Sequence, residues 1–153
     1  MQDTKDREII TTRIIKASLE RVWRAWTNPN EVGLWWGPAG FTNTIEKIDV
    51  RPGGEWRYVM HGPDGKDYPN ELTYEEVEQP GRLVYSHHAS KEFGLEGWKM
   101  IQTFEAVGAK TKVTMHAIYA SPEEYEKHVI NFHAKEGAEQ MLERLEAFVK
   151  DSK

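Results

Sequence analysis

The chain has no cysteine among its 153 residues. That excludes a disulfide framework, an iron–sulfur cluster, a thiolate zinc site and a cysteine nucleophile. It also suits a reducing compartment, so a cytoplasmic location is expected. No apolar run approaches the ~20 residues of a membrane span, and the polar, mixed-charge start from Met1 to Arg7 does not read as a signal peptide. There is no basic excess: 20 Lys and Arg against 25 Asp and Glu give a net charge of −5, which argues against nucleic acid as a partner. Repeats, low-complexity stretches and linkers are missing too. Residues 1–153 therefore read as a single domain, able to bury roughly 70% of the surface its unfolded chain exposes. Apolar content is only 39%, yet the chain holds 6 Trp, 6 Tyr and 5 Phe. A few large, flat side chains carry much of its apolar surface.

Residues 7–17 carry paired Ile and Thr and read as a first strand. Ser18 offers an N-cap, with Glu20 in the first turn and Leu19, Val22, Trp23 and Trp26 at helical spacing. Asn28-Pro29-Asn30-Glu31 predicts a second short helix ending at Trp35-Trp36-Gly37-Pro38. From about 44 to 120 the pattern is strand-like. Trp56, Tyr58 and Met60 alternate with Arg57, Val59 and His61, and Gly62-Pro63-Asp64-Gly65 closes a hairpin. Later strands alternate Trp98, Met100, Gln102 and Phe104, then Val113, Met115, Ala117 and Tyr119. About six short strands at hairpin spacing predict an antiparallel sheet. Ser121-Pro122-Glu123-Glu124 is a capping box opening a helix that runs to about Lys150, roughly 44 Å long. Its stripe Ile130, Ala134, Ala138, Met141, Leu145 and Phe148 should face the sheet. Tyr125, Val129 and Phe132 lie more than a quarter turn away; they either line an opening or form a dimer patch. Together these elements predict an α+β domain, a curved antiparallel sheet of six to seven strands gripping the long C-terminal helix.

The segments Ala17-Ser18-Leu19-Glu20-Arg21-Val22-Trp23-Arg24-Ala25-Trp26-Thr27-Asn28-Pro29 and Trp35-Trp36-Gly37-Pro38 resemble the opening of the Hsp90 ATPase activator homologue 1-like family. Asp49-Val50-Arg51-Pro52-Gly53-Gly54-Glu55-Trp56-Arg57, the hairpin tip Met60 to Gly65, Pro80-Gly81-Arg82-Leu83-Val84 and Thr103-Phe104-Glu105 match in order. The resemblance covers nearly the whole chain. It implies the helix-grip fold shared with START domains and the Bet v 1 allergen, and with it an apolar cavity between sheet and long helix. Members of the wider superfamily bind lipids, polyketides or aromatic molecules, and a minority are cyclases or hydrolases. The full Hsp90 activator carries a further N-terminal domain for which this chain has no room, which argues against a chaperone partner. Relatives often carry Trp after the glycine matching Gly137, where this chain has Ala138; the smaller residue enlarges a cavity, or a neighbour fills its place.

Trp56, Tyr58, Met60, Tyr74, Trp98, Met100, Met115 and Tyr119 lie on the inward phase of their strands. Two readings fit them, the wall of a ligand pocket or a packed core. Tyr and Trp need hydrogen-bond partners in a dry interior, and Met suits adaptable binding surfaces. Gln102 on the same phase is awkward in a core and useful to a ligand. One of Trp35 and Trp36 should pack inward, because adjacent helical residues diverge by about 100°; alternatively one forms a lid with Phe41. Tyr58, Tyr74, Tyr85, His87 and Gln102 are the candidate polar contacts, and Phe132 a candidate at the rim. His87 and His88 face opposite ways on a strand, and His128 and His133 do not converge on a helix, so no metal site is expected. No phosphate-binding loop and no G-x-S-x-G nucleophile context is present, so no cofactor is expected. Glu71, Glu75, Glu76 and Glu78 form an acidic strand, from which one inward carboxylate would be a general-base candidate. The reading that results is a binder of a small apolar ligand, with a cyclase- or hydrolase-type enzyme using a pocket His or carboxylate, and a protein-interaction module, as the alternatives.

Overall fold

Alternating apolar residues fold the middle of the chain into strands, and the segments flanking it fold as helices over one face. The computed structural model describes residues 4–150. β1 (Glu8–Ile15) leads into α1 (Leu19–Thr27) and a 3-10 turn (Val32–Leu34). Then follow β2 (Thr42–Ile48), β3 (Glu55–His61), β4 (Asp67–Glu78), β5 (Arg82–His87), β6 (Trp98–Val107) and β7 (Lys110–Ile118). The chain closes with α2 (Pro122–Glu126), a π-helical turn (Lys127–Asn131) and α3 (Ala134–Lys150). The strands form one sheet in the order β1-β7-β6-β5-β4-β3-β2, each neighbouring pair antiparallel. Register shifts at Ile45/Lys47 and Tyr74/Glu76 are bulges. An extra residue on one strand bends it and strengthens its twist, and here two bulges curl the sheet around the helices. Gly65 (φ 85°) and Gly108 (φ 63°) take the left-handed conformation in the β3–β4 and β6–β7 hairpin turns.

Ser18 caps α1 as its sequence predicts, its Oγ accepting from Arg21 N at 3.2 Å. The second short helix is reduced to the 3-10 turn. Asn28 Oδ1 accepts from Asn30 N instead of capping a full helix, and the Glu31 carboxylate pairs with Arg21 and Arg24. Winding therefore stops at Leu34, and the 100° divergence between Trp35 and Trp36 does not apply. Both are buried, at 1% and 5% exposure. Trp35 Nε1 donates to Ala25 O and its ring meets Trp26 at 4.8 Å. Trp36 Nε1 donates to Tyr58 OH and its ring meets Trp56 at 4.7 Å. Edge-on aromatic contacts of this kind add to burial.

The C-terminal segment is not one rod. Its capping box is half made: Ser121 Oγ accepts from Glu124 N at 3.1 Å, but the Glu124 carboxylate turns away to accept from Glu96 N and Lys127 Nζ. After α2 the helix widens to a π turn and then breaks at His133 (φ 50°). The cause lies in the two apolar stripes. A straight helix buries one stripe, whereas the break lets His128 and Phe132 reach a cavity while Met141, Leu142, Leu145 and Val149 enter the core. Ile130, on the sheet-facing stripe of a straight helix, is instead 66% exposed, and Tyr125 and Val129 pack against the core.

Arg144 of α3 ties down the loop after the tryptophan pair. Its Nη1 donates to the carbonyls of Trp36, Gly37 and Pro38 and its Nη2 to that of Phe41, all at 2.9–3.0 Å. Charge-assisted hydrogen bonds are the strong ones, and leaving partly buried carbonyls unpaired adds its own cost. Arg144→Met is therefore expected to lower the unfolding free energy by about 2–4 kcal/mol in urea titration; a loss below about 0.5 kcal/mol would show that solvent replaces the clamp.

Candidate functional site

The concave face of the sheet divides into two halves. Toward α1, Trp56, Leu72, Tyr74, Leu83, Phe104 and Val113 are buried with the tryptophans in close-packed core. Toward the helix break the face opens into a cavity of about 190 Å³. It shares six wall residues, Met60, Asn70, His87, Trp98, His128 and Phe132, with an outer vestibule of about 390 Å³. A dry engineered cavity of ~150 Å³ takes up benzene, so the inner space alone suits a ligand of one or two rings.

Of the residues singled out from the sequence, Tyr58, Met60, Tyr85, His87, Trp98, Met100, Met115, Tyr119 and Phe132 are brought together on the cavity wall. Phe41 lies on an adjoining groove with Tyr68 and Phe132. Trp35, Trp56, Tyr74 and Gln102 are not brought there; each is at most 2% exposed and packs in the core half. Gln102 fits that core because its Oε1 accepts from Tyr85 OH at 3.0 Å. Tyr85 OH is thus spent on the Gln102 carbonyl while Gln102 Nε2 stays buried without a partner, and Tyr58 OH accepts from Trp36. The acidic strand supplies no carboxylate to the inner cavity. Glu71, Glu75, Glu76 and Glu78 pair with His88, Lys99 and Arg82 on the outer face, with Glu71 reaching only the vestibule.

Two imidazoles stand with Thr11 and Asn70 among the polar residues of the cavity wall. His87, at the end of β5, is 7% exposed and stacks on Trp98 with centroids 3.9 Å apart and planes 6° off parallel. His128, on the π turn, is 6% exposed and lies 5.4 Å from Trp98 and 4.3 Å from Tyr119. His128 Nε2 is buried without a hydrogen-bond partner. Burial removes water from both rings and disfavours the imidazolium. It pushes His87 down to about 3, with His128 and then His88 adding repulsion, and His128 down to about 4, where Glu124 opposes the shift. Burial also holds the Tyr58, Tyr85 and Tyr119 hydroxyls protonated. His128 escaped the sequence reading because it is weighed there only as a metal ligand beside His133, with which it does not converge. The signal was present in its position three residues after Tyr125 and four before Phe132, one helical face.

A curved antiparallel sheet holding a C-terminal helix across its concave face, with a cavity between them, is the helix-grip fold. Solved structures share it. A protein from Arthrobacter aurescens superposes with a TM-score of 0.87 at 23% identity, over 99% of this chain and 90% of that one. A Nitrosomonas europaea protein gives 0.84 at 23% identity over 100% of both chains, and one from Mycobacterium smegmatis 0.83 at 26% identity over 96% and 93%. The sequence model of the activator of Hsp90 ATPase homolog 1-like proteins matches residues 16–150, and the chain belongs to that family. No curated protein matches the chain.

The two imidazoles couple stability to pH. In the unfolded chain each takes up a proton near 6.5, in the fold only near 3 or 4. Below pH 6.5 the unfolded state holds more protons, so this contribution is complete above 6.5 and is lost on acidification. Glu8, Glu124 and Glu146, held below their ordinary 4.5 by hydrogen bonds, add their loss only at lower pH. Urea midpoints should fall from pH 6.5 to 4.5, with a slope of up to ~1.4 kcal/mol per pH unit for each histidine. The double variant His87→Leu/His128→Phe should flatten that dependence; an equally steep profile in the variant would refute the assignment.

Proposed function

We propose that the chain binds a small apolar or aromatic molecule in the cavity beside the helix break, as a carrier or sensor of the cytoplasm. One observation carries the reading: the sheet's inner face, closely packed at one end, is left open at the other, walled by Trp, Tyr and Met and reached through a vestibule. Concave sites of this composition, apolar with few convergent polar groups, are ligand sites. Affinity would come from apolar burial at ~25 cal/mol per Å² before ordering costs.

The enzymatic alternative is the weaker of the two. A general base works best with a pKa near the operating pH, and burial holds both cavity imidazoles at about 3 to 4. No carboxylate lines the inner cavity among the described residues.

Gly137 and Ala138 lie on the cavity wall, and Ala138 is the position at which the family resemblance implies a Trp in many relatives. Ala138→Trp should fill the space that a ligand would take. Saturable quenching of tryptophan fluorescence by a hydrophobic probe such as naphthalene is expected for the unaltered chain. For Ala138→Trp the affinity should drop at least about tenfold, a change of ~1.4 kcal/mol, with circular dichroism unchanged. A folded Ala138→Trp protein that binds as before would place the ligand elsewhere.

A further inference from the structure

The sheet has two edges, and they are finished differently. β2 is interrupted by the bulge at Ile45/Lys47 and packs against the 3-10 turn, where Asn43 Nδ2 donates to Gly33 O at 3.0 Å. Bulges and covering segments of this kind keep an edge from pairing with another chain. β1 has neither. It pairs with β7 residue for residue from Glu8 to Ile15. Tyr119 N donates to Arg7 O at 2.8 Å, and hydrogen bonding alternates along an antiparallel ladder. Ile9, Thr11, Arg13 and Ile15 therefore bond to β7, while the N–H and C=O groups of Glu8, Ile10, Thr12 and Ile14 point away from the sheet at its edge. No other group pairs with them among the described residues. The open run ends at Lys16, whose N–H is taken by Glu146 Oε2 at 3.0 Å.

The side chains on the two sides of this edge restrict what can cover it. On the outer face Ile10 is 58% and Ile14 44% exposed, with Thr12 exposed between them. On the inner face a groove of about 480 Å³ follows β1 from Glu8 to Arg13 and α3 from Lys135 to Glu143. Its cations are engaged: Arg13 is paired with Glu146 at 2.8 Å, and Lys135 lies over the Tyr125 ring at 5.6 Å. Glu139 and Glu143 are exposed on the groove wall and have no ion-pair partner among the described residues. Four residues apart, they stand about 6 Å from each other along α3, close to the ~6.6 Å between alternate residues of a strand.

We propose that the β1 edge docks an extended peptide segment of a partner protein, one that alternates basic with β-branched apolar residues. Its main chain adds an eighth strand to the seven-stranded sheet. Its apolar side chains lie beside Ile10 and Ile14, and its Lys or Arg side chains, on the opposite face, reach Glu139 and Glu143. A second copy of this chain fits less well. Two-fold pairing of β1 about Thr12 sets Ile10 against Ile14 of the other copy, but it also sets the two acidic flanks of α3 against each other, and like charges so placed disfavour the pairing.

An end-capped synthetic peptide, Val-Lys-Val-Lys-Val-Lys, tests the site, with Val-Glu-Val-Glu-Val-Glu as its matched control. At low ionic strength, calorimetric titration of the full chain should give at least about tenfold tighter binding for the lysine peptide, weakening as salt is added. Hydrogen exchange followed by NMR should show the amides of Ile10, Thr12 and Ile14 slowed by the peptide, because those N–H groups gain acceptors. Thr12→Pro removes one outward N–H and leaves the ladder to β7 intact, since proline is tolerated where an edge strand's N–H faces solvent. It should lower the affinity at least about fivefold with circular dichroism unchanged. The double variant Glu139→Lys/Glu143→Lys should reverse the preference between the two peptides. Absence of binding, equal binding of both peptides, protection confined to other strands, or an affinity untouched in a folded Thr12→Pro protein would overturn the inference. So would concentration-dependent dimerisation of the chain alone that protects the same three amides, which would assign the edge to a second copy.

Discussion

An α-helix can bury one stripe of side chains, and the C-terminal segment of this chain carries two. That conflict shapes the rest of the molecule. The fold resolves it by widening the helix to a π turn and breaking it at His133. The part after the break lies in the core like any amphipathic helix. The part before it is free to turn His128 and Phe132 toward the open end of the sheet. Carboxylate chemistry holds the arrangement in place: Glu124 leaves its capping role to bind the backbone of the loop between β5 and β6, and Lys127 reaches Gly94 O from the π turn. The vestibule wall and the helix break are thereby tied to each other.

The aromatic residues show a second constraint, the cost of burying an indole N–H or a phenol hydroxyl without a partner. Trp35 and Trp36 meet it locally, through Ala25 O and Tyr58 OH, and Tyr85 meets it through Gln102. The pairing is incomplete: Trp26 Nε1, Trp56 Nε1 and Gln102 Nε2 of the packed half stay without a partner, as does His128 Nε2 on the π turn.

The strands were legible because alternation has a period of two and each strand buries one face; Val113, Met115, Ala117 and Tyr119 point inward as their spacing predicts. The hairpins followed from Gly-Pro-Asp-Gly and Gly-Ala turn chemistry, and α1 from Ser18. The capping box was only half legible, since the partner that draws Glu124 away lies 28 residues upstream at Glu96. The inward aromatics were legible as a group. Which of them would wall a cavity was not, because Trp56 and Tyr58 share one face of one strand and differ only in what is packed above them. Tyr85 and Gln102 show the same limit: both are polar and inward, and their mutual hydrogen bond is a tertiary fact invisible in either residue's neighbourhood. His128 was missed because it is weighed only as a metal ligand beside His133, with which it does not converge.

The division of the sheet's inner face has a consequence for how such a chain can change over time. The residues that hold the fold together, around the tryptophans and Arg144, meet the wall of the open end at Trp36, Gly37, Pro38 and Tyr58, and the rest of that wall lies outside them. Substitutions at Met60 or Ala138, both only half-buried, can therefore reshape the space with only a modest toll on folding, while the architecture drifts little. Chains that share barely a quarter of their residues and still superpose closely over nearly their whole length are what such a partition permits: one durable scaffold, and beside it a chamber left free to be refitted.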